Sequence, residues 1–158
     1  MKKYISIAVM SISLIGCAAG PSFTPAVVPT PKENMALVYL YREPALMSGA
    51  YTTRFEVNGK TLANLINGGY TWVHHPAGEY DLKNFFRQSF LFAPDVRSLS
   101  VKWQAGRTYY YRFVSGGGDS NYFGVTFKEV SEAEALPEIQ KRSYQPYVEG
   151  AAISTGAV

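Results

Sequence analysis

Cys17 is the only cysteine in the chain, and its surroundings specify a chemical reaction more clearly than those of any other side chain. It follows Gly16 in "SLIGCAAG", close to the start of the sequence. Its thiol can form a thioether, and the missing side chain at Gly16 would let a peptidase approach the backbone closely. A single cysteine forms no internal disulfide, so disulfides give no guide to the compartment.

The residues before Cys17 predict a signal peptide. Lys2 and Lys3 form a basic start, and "YISIAVMSISLI", residues 4–15, is an uncharged apolar run. This run is shorter than the roughly 20 residues that cross a bilayer core, and it suits the apolar region of a signal peptide. We therefore expect residues 1–16 to be removed. The alternatives are an ordinary signal peptide with a chance cysteine, and a short buried helix.

The motif "LIGC", residues 14–17, resembles the lipobox of bacterial lipoproteins. The resemblance implies cleavage between Gly16 and Cys17, a diacylglycerol on the Cys17 sulfur and an acyl chain on the new amine. Two such signals suffice for stable anchoring. Ala18 stands where the family has Asp for retention in the inner membrane. This implies the periplasmic face of the outer membrane, with the inner membrane as the alternative.

Residues 17–34 are predicted to be the lipidated cysteine and a proline-rich tether. Four prolines fall in this segment, which favours extended polyproline II over helix or strand: Pro21, Pro25, Pro29 and Pro31. At about 3.1 Å per residue, residues 18–34 could reach on the order of 50 Å from the lipid. A proline-rich recognition motif is the alternative.

Residues 35–130 carry the pattern of an all-β domain. "ALVYLYR", residues 36–42, predicts a strand with both faces at least partly buried. Asn58-Gly59 is typical of a type I′ hairpin turn, and "PAG" at residues 76–78 separates two strands. Apolar and polar side chains alternate through three segments between Arg97 and Val130. We expect an antiparallel β-sandwich or partly open barrel of about seven to eight strands.

A short C-terminal helix is predicted at residues 131–142. Ser131 is a suitable N-cap with Glu134 three residues later, and Pro137 limits the length of the helix. Residues 143–158 show no apolar period, so we expect a flexible tail.

Residues 35–142 resemble a bacterial lipoprotein domain of unknown function. The matching motifs are "ALVYLYR", "VNGK", "GGYTWV" with "PAGEY", and "QAGRTYYYR". "PAGEYDL" and "QAGRTYYY" also resemble PEGA-type modules. The resemblance implies an all-β periplasmic domain on a lipid anchor and implies no activity. It leaves residues 86–98 as an insertion, with an extra short strand in "SFLF".

The residue types needed for catalysis do not form a recognisable motif. His74 and His75 are adjacent, so on a strand they point to opposite faces and cannot easily chelate one metal. Ser89, His75 and Asp95 could be assembled into a Ser-His-Asp triad, but no spacing fixes that geometry. No metal, no catalytic residue and no cofactor beyond the acyl groups is predicted.

Acidic and glycine-rich sequences give equally weak catalytic signals. The acids that a paired-carboxylate hydrolase could use are scattered: Glu56, Glu79, Asp81, Asp95 and Asp119. "SGGGDSN", residues 115–121, has the glycines of a phosphate loop but lacks Gly-Lys-Ser/Thr and precedes a strand. We expect a hairpin turn there.

One polar face could bind a ligand. Tyr110 and Arg112 alternate with Tyr109 and Tyr111, and strand pairing would bring Tyr122 to the same face. Lys102 and Lys128 would then lie beside them. Exposed tyrosines bordered by cations can stack on a sugar ring or a peptide. The alternative is that this face packs under a loop or the helix.

The charge excludes a nucleic-acid partner. Of the 15 basic residues, two are Lys2 and Lys3, and the other thirteen nearly balance the 12 acidic residues. No basic stripe is present. The sequence therefore predicts a non-enzymatic, lipid-anchored periplasmic β domain that binds another envelope component or supports an assembly. The second hypothesis is a glycan- or peptidoglycan-binding module, and the third is an envelope hydrolase.

Overall fold

The computed structural model describes residues 29–46, 48–87, 93–116 and 124–148. Several predictions from the sequence concern residues outside these ranges: the signal peptide, Gly16, Cys17, most of the tether, Ser89 with the "SFLF" strand, Asp119, Tyr122 and residues 149–158.

The described residues form nine strands and one helix. The strands are β1 Met35–Arg42, β2 Thr53–Val57, β3 Lys60–Leu65, β4 Gly69–Pro76, β5 Gly78–Phe86, β6 Asp95–Trp103, β7 Thr108–Ser115, β8 Val125–Val130 and β9 Ser143–Tyr144. The helix, α1, is Glu132–Ile139.

Two sheets pack face to face. The first sheet has the order β8-β7-β1-β4-β9, and the second has the order β3-β2-β5-β6. The predicted all-β sandwich with a short C-terminal helix is confirmed. The predicted insertion at residues 86–98 overlaps both neighbouring strands. Phe86 is the last residue of β5, and residues 95–98 are the first four of β6.

Two strand pairs in the first sheet are parallel, which differs from the purely antiparallel arrangement that we expected. β7 lies parallel to β1, with Leu37 opposite Thr108, and β9 lies parallel to β4. The turn after β6 explains the first pair. The amide of Gly106 donates to the carbonyl of Met35 at 2.9 Å, so β7 starts beside the start of β1 and runs in the same direction.

Two of the predicted turns lie within the described residues. Asn58 has φ of 48° and Gly59 has φ of 79°, the two left-handed residues that a type I′ turn needs between β2 and β3. β4 ends at Pro76 and β5 begins at Gly78, so the break predicted at "PAG" falls at Ala77, where the chain passes from the first sheet to the second. β7 and β8 pair in an antiparallel arrangement, and most of the residues predicted to form the turn between them lie outside the described ranges.

The inner core fills the space between the two sheets. Its largest fully buried side chains come from both layers and include Trp103, Tyr111, Phe55, Phe86 and Phe113. Phe55 meets Phe113 edge to face, with ring centroids 6.4 Å apart. Aromatic contacts of this kind add to the stabilisation that comes from burial of apolar area.

A second apolar cluster, the outer cluster, lies between the first sheet and α1. Its buried members are Leu37, Tyr39, Tyr41, Tyr70, Tyr110, Val130, Ala135 and Ile139. β1 therefore has one face in the inner core and one in the outer cluster, as its sequence predicts. Ser131 caps α1 by accepting from the amide of Glu134 at 3.3 Å, and α1 ends two residues after Pro137.

The prediction that the chain is flexible from residue 143 onward is wrong for its first residues. Ser143–Tyr144 form β9, and the amide of Gln145 donates to the carbonyl of Tyr70 at 2.8 Å. The amide of Val148 donates to the carbonyl of Leu62 at 2.9 Å. Backbone hydrogen bonds hold this segment against both sheets, and the amino-acid composition alone gives no sign of them.

Within the described ranges, no helix combines the length and the apolar character needed to cross a membrane.

Candidate functional site

The predicted ligand face lies under α1. Tyr110 and Arg112 do share one face of β7, but Tyr110 is only 5% exposed. Its ring stacks on that of Tyr39, with centroids 5.0 Å apart and planes 15° from parallel. The expectation of an exposed tyrosine is therefore wrong for Tyr110, because the outer face of the first sheet is itself a packing surface.

Arg112 is held by acidic side chains from α1. Its Nη1 bonds to Glu138 Oε1 at 2.8 Å, and its Nη2 bonds to Glu134 Oε1 at 2.8 Å. Glu43 Oε1 lies 3.6 Å from Nε, too far for a hydrogen bond. Glu138 also accepts a 2.7 Å hydrogen bond from the hydroxyl of Tyr41. Nη1 and Nη2 of Arg112 are therefore engaged within the domain, and its buried Nε has no hydrogen-bond partner among the described residues.

The electrostatics of the network fit a structural role. Burial on its own would lower the pKa of Arg112, but Glu138, Tyr41 and Glu134 raise it overall. Burial, followed by the hydrogen bond to Glu138, raises the pKa of Tyr41. Burial and the neighbouring Glu132 raise the pKa of Tyr110 to about 12. Arg112 therefore stays charged and both tyrosines stay neutral near pH 7.

The lysines expected beside this face are divided between the two sheets. Lys128 is opposite Arg112 in the register between β7 and β8. Lys102 lies on β6 in the second sheet, where it bonds to Glu79. The expectation is therefore confirmed for Lys128 and wrong for Lys102, because β6 pairs with β5 rather than with β7.

The two histidines point to opposite faces of β4, as predicted. His75 is 8% exposed and meets the rings of Tyr80 and Trp103 edge to face, with centroids at 4.5 and 4.8 Å. His74 contacts Trp72 on the outer face, with ring centroids 5.6 Å apart. The described residues hold no group of three or more His, Cys, Asp or Glu side chains that could bind a metal ion.

The Ser-His-Asp arrangement is not supported by the positions of His75 and Asp95. His75 packs against Trp103 at one end of β6, and Asp95 is the first residue at the other end. Eight residues of strand span roughly 26 Å. These two side chains are therefore too far apart to share a proton.

The carboxylates on the outer face of the second sheet are paired with cations. Glu79 bonds to Lys102 at 2.8 Å, and Asp81 bonds to Lys83 at 2.9 Å. The hydrogen bond from Lys102 lowers the pKa of Glu79, and those from Ser98 and Lys83 lower that of Asp81. A glycosidase acid needs the opposite shift. Glu56 is likewise paired, with Arg54 at 2.8 Å.

An open depression of about 390 Å³ lies on this side of the second sheet. Its lining residues are Asn58, Glu79, Tyr80, Asp81, Ser100, Val101 and Lys102. Asn58 Oδ1 accepts from the amide of Asp81 at 3.1 Å, and the hydroxyl of Tyr80 donates to the carbonyl of Pro76 at 3.0 Å. Several of its polar groups are therefore already committed to contacts within the domain.

The fully buried Arg42 is a feature that the sequence did not predict. Its Nη2 donates to the carbonyl of Ser48 at 2.8 Å and its Nη1 to that of Tyr51. The guanidinium lies over the rings of Phe86 and Phe113, 5.1 and 5.9 Å from their centroids. Burial lowers its pKa to about 10. Arg42 thereby ties the segment between β1 and β2 to the inner core.

A family model described as "Protein of unknown function (DUF2846)" matches residues 32–125. The chain belongs to this family. The DUF2846 match covers β1 to β7 and reaches the first residue of β8, so it leaves out α1 and β9. No curated protein and no solved structure matches the chain. The DUF2846 match confirms the predicted domain of unknown function, while the lipobox and the PEGA-type resemblance stay predictions.

Proposed function

We propose that this chain is a lipid-anchored envelope lipoprotein. Its β-sandwich is non-catalytic and binds or supports another envelope component at the periplasmic face of the outer membrane. The observation that carries the proposal is the coincidence of a basic start, a short apolar run and "LIGC" at residues 14–17. Acylation of Cys17 would supply the membrane affinity, because each buried methylene adds about 0.8 kcal/mol.

The packing of the domain supports a role in binding or support rather than catalysis. The most distinctive buried polar groups hold elements together: Arg112 binds α1, and Arg42 binds the segment between β1 and β2. The paired carboxylates on the second sheet have lowered pKa values. A general acid works best when its pKa lies near the operating pH. A lowered pKa keeps Glu79 and Asp81 ionised near pH 7, so neither carboxylate suits general-acid catalysis.

The glycan-binding hypothesis has less support at the residues first considered for it. Tyr110 is covered by α1, and Nη2 and Nη1 of Arg112 are bonded to Glu134 and Glu138. Tyr122 lies outside the described residues. A sugar-stacking face needs exposed rings, which favours the proposal of a protein partner or a structural role.

Metabolic labelling with palmitate tests the anchor. We expect the wild-type chain to incorporate the label and to fractionate with membranes. The variant Cys17→Ser should lose both properties, because serine cannot form the thioether. Ser22→Ala is the matched control in the same segment and should keep both.

Mass spectrometry of the native protein gives the decisive readout. The expected species begins at Cys17 and carries a diacylglycerol on sulfur and an acyl chain on nitrogen. An unmodified thiol at Cys17, or a wild-type protein found free of membranes, would overturn the proposal.

A further inference from the structure

β6 forms one edge of the second sheet, and none of the described strands pairs with its outer side. It is nine residues long, contains no proline and pairs with β5 over its whole length without a register shift. The opposite edge, β3, is six residues long, and its pairing with β2 contains a register shift. The carbonyl of Leu62 on β3 also accepts from the amide of Val148. Sheets commonly shield their edges with bulges, prolines or covering segments, so β6 is the less protected edge.

The backbone groups of alternate residues of β6 point away from the sheet. Asp81 on β5 directs both of its backbone groups toward β2: its carbonyl accepts from the amide of Asn58 at 3.2 Å, and its amide donates to Asn58 Oδ1 at 3.1 Å. Hydrogen-bonding direction alternates along a strand, so Leu82 is turned toward β6, where it lies opposite Leu99. The odd-numbered residues of β6 therefore bond to β5. The outward amides and carbonyls belong to four residues whose side chains are exposed: Val96, Ser98, Ser100 and Lys102.

The charges along this edge are compensated within the domain. Arg97 Nη2 lies 3.8 Å from Asp95 Oδ1, and Lys102 Nζ bonds to Glu79 Oε1 at 2.8 Å. The middle of the strand, residues 98–101, carries no charge. Charged side chains on an edge normally discourage pairing. Because the cations of β6 already have carboxylate partners, the edge does not repel a copy of itself.

We propose that the β6 edges of two copies of this chain pair antiparallel about a two-fold axis at Leu99. Leu99 then lies opposite Leu99 of the second copy, and Ser98 lies opposite Ser100. This register pairs all nine residues of the strand. A shift by one residue would oppose outward residues to inward ones and lose the hydrogen bonds. Registers centred on Arg97 or on Lys102 would oppose like charges.

A second copy suits this edge better than a foreign strand does. A two-fold contact uses the same patch on both chains, so the outward donors of each copy meet the outward acceptors of the other. The pairing also joins two four-stranded sheets into one continuous sheet. Lipid anchors would confine the copies to one membrane surface and raise their effective concentration. That last argument rests on the proposed anchor at Cys17, whereas the pairing itself does not.

The pairing sets where the two tethers leave the dimer. β6 ends near the start of β1, because the amide of Gly106, three residues after β6, donates to the carbonyl of Met35 at 2.9 Å. Antiparallel pairing places these two points at opposite ends of the joined sheet. The two tethers would therefore leave from opposite ends, with the strands of the joined sheet lying along the membrane.

Disulfide formation by the variant Leu99→Cys tests the pairing in membranes of cells that produce the full chain. Opposed residues in a non-hydrogen-bonded antiparallel pair have Cα atoms roughly 4.5 Å apart, which a disulfide can span. We expect mild oxidation to give a homodimer on a non-reducing gel. Lys102→Cys is the matched control on the same strand. Its thiol is more exposed but would lie six residues, or roughly 20 Å, from its counterpart, so its yield should be at least tenfold lower.

The variant Ser100→Pro, added to Leu99→Cys, tests the role of the backbone. Proline is tolerated on an edge strand where the amide faces solvent, so the circular dichroism spectrum should stay unchanged. Loss of the outward amide should lower the disulfide yield at least tenfold. Ser100→Ala keeps that amide and should keep the yield.

A second pair of variants leaves the core untouched. Coexpressed Ser98→Cys and Ser100→Cys chains should form a mixed disulfide, because these positions face each other across the axis. Each variant alone should give a much lower yield, since its counterpart lies on the diagonal, roughly 8 Å away, beyond the span of an unstrained disulfide.

Equal yields from Leu99→Cys and Lys102→Cys would overturn the pairing, and so would a yield that Ser100→Pro leaves unchanged. A Leu99→Cys adduct with the mass of a different protein would assign the edge to a foreign strand and would also overturn it. A disulfide dimer of the wild-type chain could form only through Cys17. That result would contradict the anchor, and the same comparison in the Cys17→Ser background would then decide the pairing.

Discussion

His75 is a buried histidine in the inner core, held between Tyr80 and Trp103. Burial lowers its pKa below the ordinary value of 6.5, and the hydrogen bond to the carbonyl of Pro76 opposes that shift only in part. The folded state therefore takes up the His75 proton at a lower pH than the unfolded state does. As the pH falls below 6.5, the unfolded chain binds more protons, so the folded state loses stability.

We predict that the free energy of unfolding of the wild-type protein decreases between pH 7 and pH 5, in part through His75. The variant His75→Phe should lose less stability over the same interval, because it removes the buried titrating group. Urea denaturation at a series of pH values measures the effect. His74→Gln is the control and should retain the wild-type slope, since it leaves His75 in place. An unchanged slope in His75→Phe would contradict the assignment.

Among the secondary-structure elements, the segment from β9 to Val148 depends on one close approach. Gly69 has no side chain, and a Cβ there would lie 2.1 Å from Nε2 of Gln145. Gln145 is 5% exposed, and its Oε1 accepts from the amide of Ile66 at 2.9 Å. The glycine therefore allows the segment to lie flat against β4.

We predict that Gly69→Ala destabilises the protein by about 2 kcal/mol, because the new methyl group overpacks this contact. Hydrogen exchange at the amides of Gln145 and Val148 should accelerate, and urea denaturation should measure the loss. Adding Gln145→Ala to this variant should recover part of the lost stability, whereas Gln145→Ala alone should cost about 1 kcal/mol. Strictly additive losses would show that the two residues are not coupled.

At the scale of the whole molecule, the first sheet joins the two apolar clusters. β1 and β7 give one face to the inner core and the other to the outer cluster. The aromatic pair Tyr39 and Tyr110 lies on one side of this sheet, and Tyr111 and Phe113 lie on the other. Loss of either cluster would expose one face of the first sheet. The other cluster packs on the opposite face of the same sheet, so it would lose stability as well.

We therefore predict a single cooperative unfolding transition. In the variant Trp72→Phe, fluorescence reports on Trp103 in the inner core, while near-ultraviolet circular dichroism also includes the tyrosines of the outer cluster. The two probes should give the same midpoint in urea. Separate midpoints, with the outer cluster lost first, would show that α1 and its cluster unfold independently.

The accuracy of the sequence-based predictions depended on the range of the interactions involved. The Asn58-Gly59 turn, the Ser131 cap and the two-sided burial of β1 follow from a few neighbouring residues, and each is confirmed. The prediction of an exposed ligand-binding face was wrong. The alternation of side chains along β7 places Tyr110 and Arg112 on one face, but it does not show which element covers that face. Arg42 gave no sequence signal, since an arginine at a strand end is usually exposed.

The sequence by itself determined the strands that precede α1, the Asn58-Gly59 turn, the capped helix and the motif at Cys17, because each depends on local backbone preference or on short-range chemistry. Only the tertiary structure decided that β7 runs parallel to β1, that α1 covers Tyr110 and Arg112, and that residues 143–148 pack against both sheets. These outcomes depend on contacts between residues far apart in the chain, where burial of apolar area and pairing of charges outweigh local propensity.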